Sequence, residues 1–253
     1  MTTPQEDFMK ACWVGDLERA KQILAEGKTT VDGCEYTNAT GLKMACMLGH
    51  LQVVKWLVNE CKAKIINDTQ SGRTALHWAC KLGQLEVIKW LVTECKMDSN
   101  LTDKYGETPL HVACENTSFL ETVKWLVNHG KADVHTKDKS LGTPLHVACR
   151  HGCLQIAKWL VIDCGVDPHL PDMYGDTPLH FACWKGHLEV VKWLVVDCKA
   201  DPDIKALRGA SPRYVARDEV AAWLLANCKY TSKCKRNVRG FFLRCHALFY
   251  CLH

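Results

Sequence analysis

No apolar run in the 253 residues approaches the ~20 side chains that a helix needs to span a bilayer. There is no Cys-x-x-Cys pair either, although the chain holds 16 cysteines, so the spacing common to zinc and redox motifs is missing. Enzyme signatures are equally scarce. Gly27-Lys28-Thr29 matches the end of a phosphate-binding loop, but Gln22 stands where that loop needs its first glycine, and a helical pattern rather than a strand precedes it. Met1 to Asp7 is polar and acidic where a secretory signal is basic and then apolar. These absences describe a non-catalytic protein of the cytoplasm, with the nucleus as the alternative, that uses no cofactor and no metal.

What the chain has in abundance is repetition. Thr108-Pro109-Leu110-His111-Val112-Ala113-Cys114 follows Thr74 to Cys80 by 34 residues, and further copies at Thr143 to Cys149 and Thr177 to Cys183 follow by 35 and 34. Degenerate copies stand at Thr40 to Cys46 and Ser211 to Arg217. Lys55-Trp56-Leu57-Val58 keeps the same beat, returning with its last valine at Val92, Val127, Val161 and Val195. Such a period is the mark of a repeat array.

Each copy reads as two helices. Thr108 is suited to cap the first and Pro109 to its first position, where a missing N–H costs nothing. Leu110, Ala113 and Cys114 share one face, and two of them are small enough to let a neighbouring helix come close. A Gly turn follows in the fuller copies, at Gly83, Gly152 and Gly186. The second helix carries the stripe Leu85, Ile88, Leu91 and Val92, with Glu86 and Lys89 outside it. One such pair cannot bury both faces, so about three or more must stack.

Thr-Pro-Leu-His-x-Ala-Cys, then Gly-His-Leu-Glu-Val-Val-Lys-Trp-Leu-Val and a Cys-Lys-Ala-Asp ending (Gly186 to Asp201), resemble the ankyrin repeat. The resemblance runs over roughly residues 5–228. It implies an all-α solenoid of helix pairs with β-hairpin fingers, about seven units including two atypical caps. Residues 1–37 form a capping unit whose Thr3, Pro4 and Glu6 make a capping box. Five repeats occupy 38–208, a shortened cap 209–232, and a basic and apolar tail 233–253. Glu115-Asn116-Thr117-Ser118 replaces one Gly turn with an extra residue.

Cysteines recur at one helix position (Cys12, Cys46, Cys80, Cys114, Cys149, Cys183) and at a second (Cys61, Cys95, Cys164, Cys198, Cys228). Equivalent positions lie about 10 Å apart in stacked helices, beyond disulfide reach, so they read as small core residues of a reducing compartment. Cys149, His151 and Cys153 offer three metal ligands without a fourth. His77, His111, His146 and His180 hold one position beside the capping Thr, which in the family is structural rather than catalytic. Trp56, Trp90, Trp125, Trp159 and Trp193 form a ladder that reads as packing between units.

Function is then expected where units differ. The ankyrin resemblance implies a concave surface made of finger residues before each Thr and of the two residues after each Ala-Cys pair. Lys104, Tyr105, Met173 and Tyr174 are finger candidates. Met47, Leu48, Lys81, Glu115, Arg150, His151, Trp184 and Lys185 are helix-end candidates. Trp184, Tyr174 and Arg150 are the expected hot spot. Cations and acids alternate along this surface, so no one-sign stripe suits nucleic acid. Asn100 occupies the finger Asn that an asparagine hydroxylase modifies in some members of the family. The formal net charge is +4, yet residues 229–253 hold six cations and no acid, leaving residues 1–228 at −2. Phe241, Cys245, Leu248 and Leu252 share a helical face in that tail. A helix folded on the array, a weak membrane-surface contact with Cys245 or Cys251 lipidated, and the stub of a longer chain are its three readings. The expected partner is a protein and the expected state a monomeric scaffold or adaptor. The alternatives are a membrane-surface adaptor and the regulatory segment of a larger enzyme or channel.

Overall fold

Thr and Pro punctuation decides where each helix begins. The computed structural model describes residues 3–33, 40–65 and 71–228. Among them the chain forms helices joined by tight turns, with no β-strand. The first helices of successive pairs are α1 (Pro4–Val14), α3 (Gly41–Leu48), α5 (Ala75–Lys81), α7 (Pro109–Ala113), α9 (Pro144–Arg150), α11 (Pro178–Lys185) and α13 (Pro212–Val215). Alternating with them are the second helices α2 (Leu17–Ala25), α4 (Leu51–Asn59), α6 (Leu85–Thr93), α8 (Leu120–Asn128), α10 (Leu154–Ile162), α12 (Leu188–Val196) and α14 (Asp218–Asn227). Each first helix packs on the next, from α1 against α3 through to α11 against α13, while α4 meets α6 and α8 meets α10. The fold is an all-α repeat solenoid.

The core follows the helix periodicity. Leu76, Leu110, Leu145 and Leu179 are buried at one repeat position, and Ala79, Ala113, Ala148 and Ala182 beside them let the first helices approach. In α6, Ile88 and Leu91 of the expected stripe are fully buried, Leu85 and Val92 are half-buried at its edges, and Val87 joins the buried face. Glu86 and Lys89 pair outside it at 2.7 Å. The six cysteines of the first-helix position are buried, and every described cysteine is free. Burial raises their thiols, Cys12 to about 12 and Cys153 to about 11, which leaves them inert. Trp56 and Trp193 are buried, whereas Trp90, Trp125 and Trp159 are half-buried against the same core.

The capping logic is specific. Thr3 and Glu6 form the capping box expected of them. In the inner units the third helical residue is a histidine that folds back: the Thr108 amide donates to His111 Nδ1 at 3.2 Å, and the ring's Nε2 donates to the Gly142 carbonyl at 3.3 Å. His77 reaches the Glu107 carbonyl in the same way at 3.0 Å, and His180 the Ala210 carbonyl at 3.4 Å. One neutral imidazole thus caps its own helix and ties it to the next finger. The repeat with the altered turn ends its first helix early. Cys114 caps α7, Asn116 accepts from the Ser118 amide, and a 3-10 turn over Thr117–Phe119 leads into α8.

The fingers are five-residue loops rather than paired strands. In one of them the Asp103 amide donates to the Glu107 carbonyl at 2.9 Å, and Asp103 Oδ1 accepts from the Tyr105 and Glu107 amides. Asp138 and Asp172 close the following fingers alike. A single backbone bond joins each finger to the one before it, Lys104 N to Ser71 O, Lys139 N to Tyr105 O, Met173 N to Ser140 O and Leu207 N to Tyr174 O, all at 2.8–2.9 Å. One bond per step is too few for a strand ladder, which is why the expected β-hairpins are absent among the described residues.

Candidate protein-binding surface

Two rows of side chains emerge from this scaffold. The fingers form the first. Tyr105 and Tyr174 occupy the same finger position and are exposed, with Lys104 Nζ 5.0 Å above one ring and the Arg208 guanidinium 5.5 Å from the other. Met173 and Leu207 share the preceding finger position and are exposed too. Leu141 stands where the neighbouring fingers place Gly106 and Gly175, and it adopts their left-handed backbone with φ of 61°. A leucine there is strained, since Cβ crowds the following carbonyl, and its side chain is 46% exposed.

Helix ends form the second row. From α1 to α11 each first helix ends close to its buried cysteine, and the two residues after that cysteine are half-buried or exposed: Trp13 and Val14, Met47 and Leu48, Lys81 and Leu82, Glu115 and Asn116, Arg150 and His151, Trp184 and Lys185. A staple from the following unit fixes most of these ends. His50 Nε2 bonds the Trp13 carbonyl at 2.8 Å, Gln84 the Met47 carbonyl at 3.0 Å, His187 the Arg150 carbonyl at 2.9 Å, and Arg217 Nε the Trp184 carbonyl at 2.8 Å. Side chains carried on ends held in this way are preorganised for contact.

Between the rows runs a groove. One section of it, about 230 Å³, is lined by Asp138, Ser140, His146, Val147, Arg150, Asp172, Tyr174, Asp176 and Phe181, with Gly142. His146 stands edge-on to Phe181 at 5.9 Å between ring centres, and its buried Nε2 has no hydrogen-bond partner, unlike its three counterparts. Burial lowers all four of these histidines, His77 to about 4. Asp176 is raised to about 6, first by burial and then by the neighbouring Asp172. Further along, Lys43 and Arg73 lie over the Trp78 ring at 4.0 and 5.7 Å, and Arg73 pairs with Asp103 at 3.0 Å and Glu107 at 2.6 Å.

Arg150 and Tyr174 therefore share the groove, but Trp184 does not line it. Its half-buried ring sits at the end of α11 under Lys185 Nζ, 3.9 Å from the ring centre. Lys81 and Glu115 are turned to each other as an ion pair across two units. His151 is exposed, Met47 and Leu48 are half-buried, and Lys104 is exposed. Asn100 is committed on both sides, its Nδ2 donating to the Lys131 carbonyl at 3.0 Å and its Oδ1 accepting from the Asp133 amide at 2.8 Å. Among the described residues no group of three His, Cys, Asp or Glu side chains is placed to hold a metal, and no helix is long and apolar enough to cross a membrane. Cys245, Cys251 and the tail 229–253 lie outside the described residues. Trp13, Val14 and Leu141 were not among the expected site residues. The first two share the register of Met47 and Leu48, and Leu141 that of the finger glycines, so alignment of the copies would have found them.

The solenoid of capped helix pairs keeps its inner rows alike from unit to unit and varies its outer ones. The chain belongs to the ankyrin-repeat family: the model described as ankyrin repeats (3 copies) matches residues 8–103, 91–172 and 132–206. Arrays of this family generally mediate protein–protein interaction and are typically non-catalytic. No curated protein matches the chain.

Proposed function

We propose that the chain is a non-catalytic, monomeric scaffold or adaptor that grips one protein partner between its finger tips and helix ends, and that it works in the cytoplasm or nucleus. One observation carries this reading. Tyr174 and Arg150 arrive from different elements on the two sides of one groove, and beside it Trp184 and Lys185 are stacked at a stapled helix end. Aromatic and arginine side chains on a rigid surface are the types that dominate interface energetics, at about 2–4 kcal/mol for the strongest. Rigid presentation limits the entropy lost on association. Affinity capture from native cytosol with the intact protein and with a Trp184→Ala/Tyr174→Ala/Arg150→Ala bait of matching helical circular dichroism tests it. A partner retained by the first and missing from the second supports the reading, and full retention by both overturns it.

A further inference from the structure

The helix-end row is divided by chemistry. Its first units present Trp13, Val14 and Leu82, which are 47%, 59% and 40% exposed. Its last units present Arg150 and Lys185, with the stapling Arg217 beside them, and among the described residues no acidic side chain pairs with any of the three. These three cations crowd one another: Lys185 is lowered by desolvation and then by Arg150 and Arg217. His151, lowered by burial and then by Arg150, feels Glu115 as its one acidic neighbour. Glu115 is already spent on Lys81. Of the groove's three carboxylates, Asp138 and Asp172 are engaged by the amides of their fingers, while Asp176 lies 3.8 Å from His180 Nε2 and within the field of Arg208. Cations gathered from three successive units without counter-charges are an unfilled half of an electrostatic contact.

We infer that this row receives an elongated acidic segment of a partner protein, with carboxylates on Arg150, Lys185 and Arg217 and large apolar side chains on Trp13, Val14 and Leu82. The inference rests on the protein-binding reading above and adds the partner's chemistry and polarity. The Lys81–Glu115 pair between the two halves marks a neutral middle. Leu82 and Arg150 are two helix pairs apart, roughly 20 Å at about 10 Å per pair, which an extended chain covers in about six residues. Trp184 lies among the cations with Lys185 over its ring, so a carboxylate drawn to the lysine also lands beside an apolar face. Nucleic acid would bring the same negative charge but nothing suited to Trp13 and Val14.

The test uses the full chain and fluorescein-labelled synthetic peptides with leucines at one end, glutamates at the other and a Gly-Ser spacer of about six residues. Fluorescence anisotropy should show saturable binding that weakens about tenfold when glutamine replaces glutamate, and again when salt is raised to several times the physiological level. The Arg150→Glu/Lys185→Glu protein should lose the glutamate peptide and gain a lysine-ended one. That swap keeps the result readable, because an unfolded variant would bind neither. Equal binding of the glutamate and glutamine peptides, or no binding of either, overturns the inference. A captured natural partner that resists high salt and the charge-reversed variant, yet is lost on the Trp184, Tyr174 and Arg150 changes to alanine, also overturns it while leaving the protein-binding reading intact.

Discussion

Leu141 holds a backbone conformation that its counterparts reserve for glycine. A Cβ on Gly106 would stand 2.7 Å from the Lys139 amide nitrogen and one on Gly175 2.9 Å from that of Leu207, so the finger as built favours glycine for space as well as for φ. Replacing Leu141 with glycine should raise stability by about 1 kcal/mol in urea unfolding, because the relief of left-handed strain exceeds the extra chain entropy. A drop of that size would mean that the leucine side chain packs where its 46% exposure says it does not. His111 is the opposite case. Both ring nitrogens are bonded and the ring is fully buried, so His111→Ala should cost about 3 kcal/mol by leaving the Gly142 carbonyl and the Thr108 amide without partners in a cavity. Each of these residues could be read from sequence in part. The histidine was legible as structural from its place beside Thr, whereas the bond to the next finger depends on the distance between units, which no local pattern carries.

At the scale of elements, helix starts were plain because Thr and Pro act within one turn. The capping box at Thr3 and Glu6 and the break at Glu115 to Ser118 both follow from local rules. The staples were not legible. His50, Gln84, His187 and Arg217 differ in type, and they share a role only because each lies beside the preceding helix end. His187→Ala should lower stability by about 1 kcal/mol and loosen the Arg150 end, seen as faster amide exchange at the C-terminal turn of α9. The fingers were misread as hairpins because family likeness gives their place but not the number of bonds that join them. Capping also sets a pH dependence. His77, His111, His146 and His180 are held below their ordinary value by burial, so the unfolded chain takes up protons first as pH falls below about 6.5. Stability present at neutral pH is lost through the folded values, about 4 for His77. Asp176 and Glu107, raised chiefly by burial, work in the opposite sense because the folded state keeps their protons. Four groups outweigh two, and the unfolding free energy from urea titrations should fall between pH 7 and pH 5 by an amount on the order of 1–3 kcal/mol. A flat profile would show that these rings are not held neutral.

Across the whole molecule, the solenoid was the most legible feature, since five copies in register outweigh any single ambiguous helix. The surface was only half legible. Positions free of packing duty could be picked out by variation between copies, and Tyr174 and Arg150 do meet in one groove. Trp184 was expected with them, but α11 carries it past the groove to a stacked position under Lys185. The division of the helix-end row into an apolar and a cationic half depends on which charges are already paired, and that appears only in three dimensions. The proposed partner lies on the finger and helix-end side of the array. Photo-crosslinking tests it most directly, with a benzophenone amino acid placed at Tyr174 in one version and at Lys192, on the outer face of α12 where it pairs with Glu189, in another. Crosslinks to the captured partner from position 174 and none from position 192 are the predicted result, and the reverse pattern would contradict it.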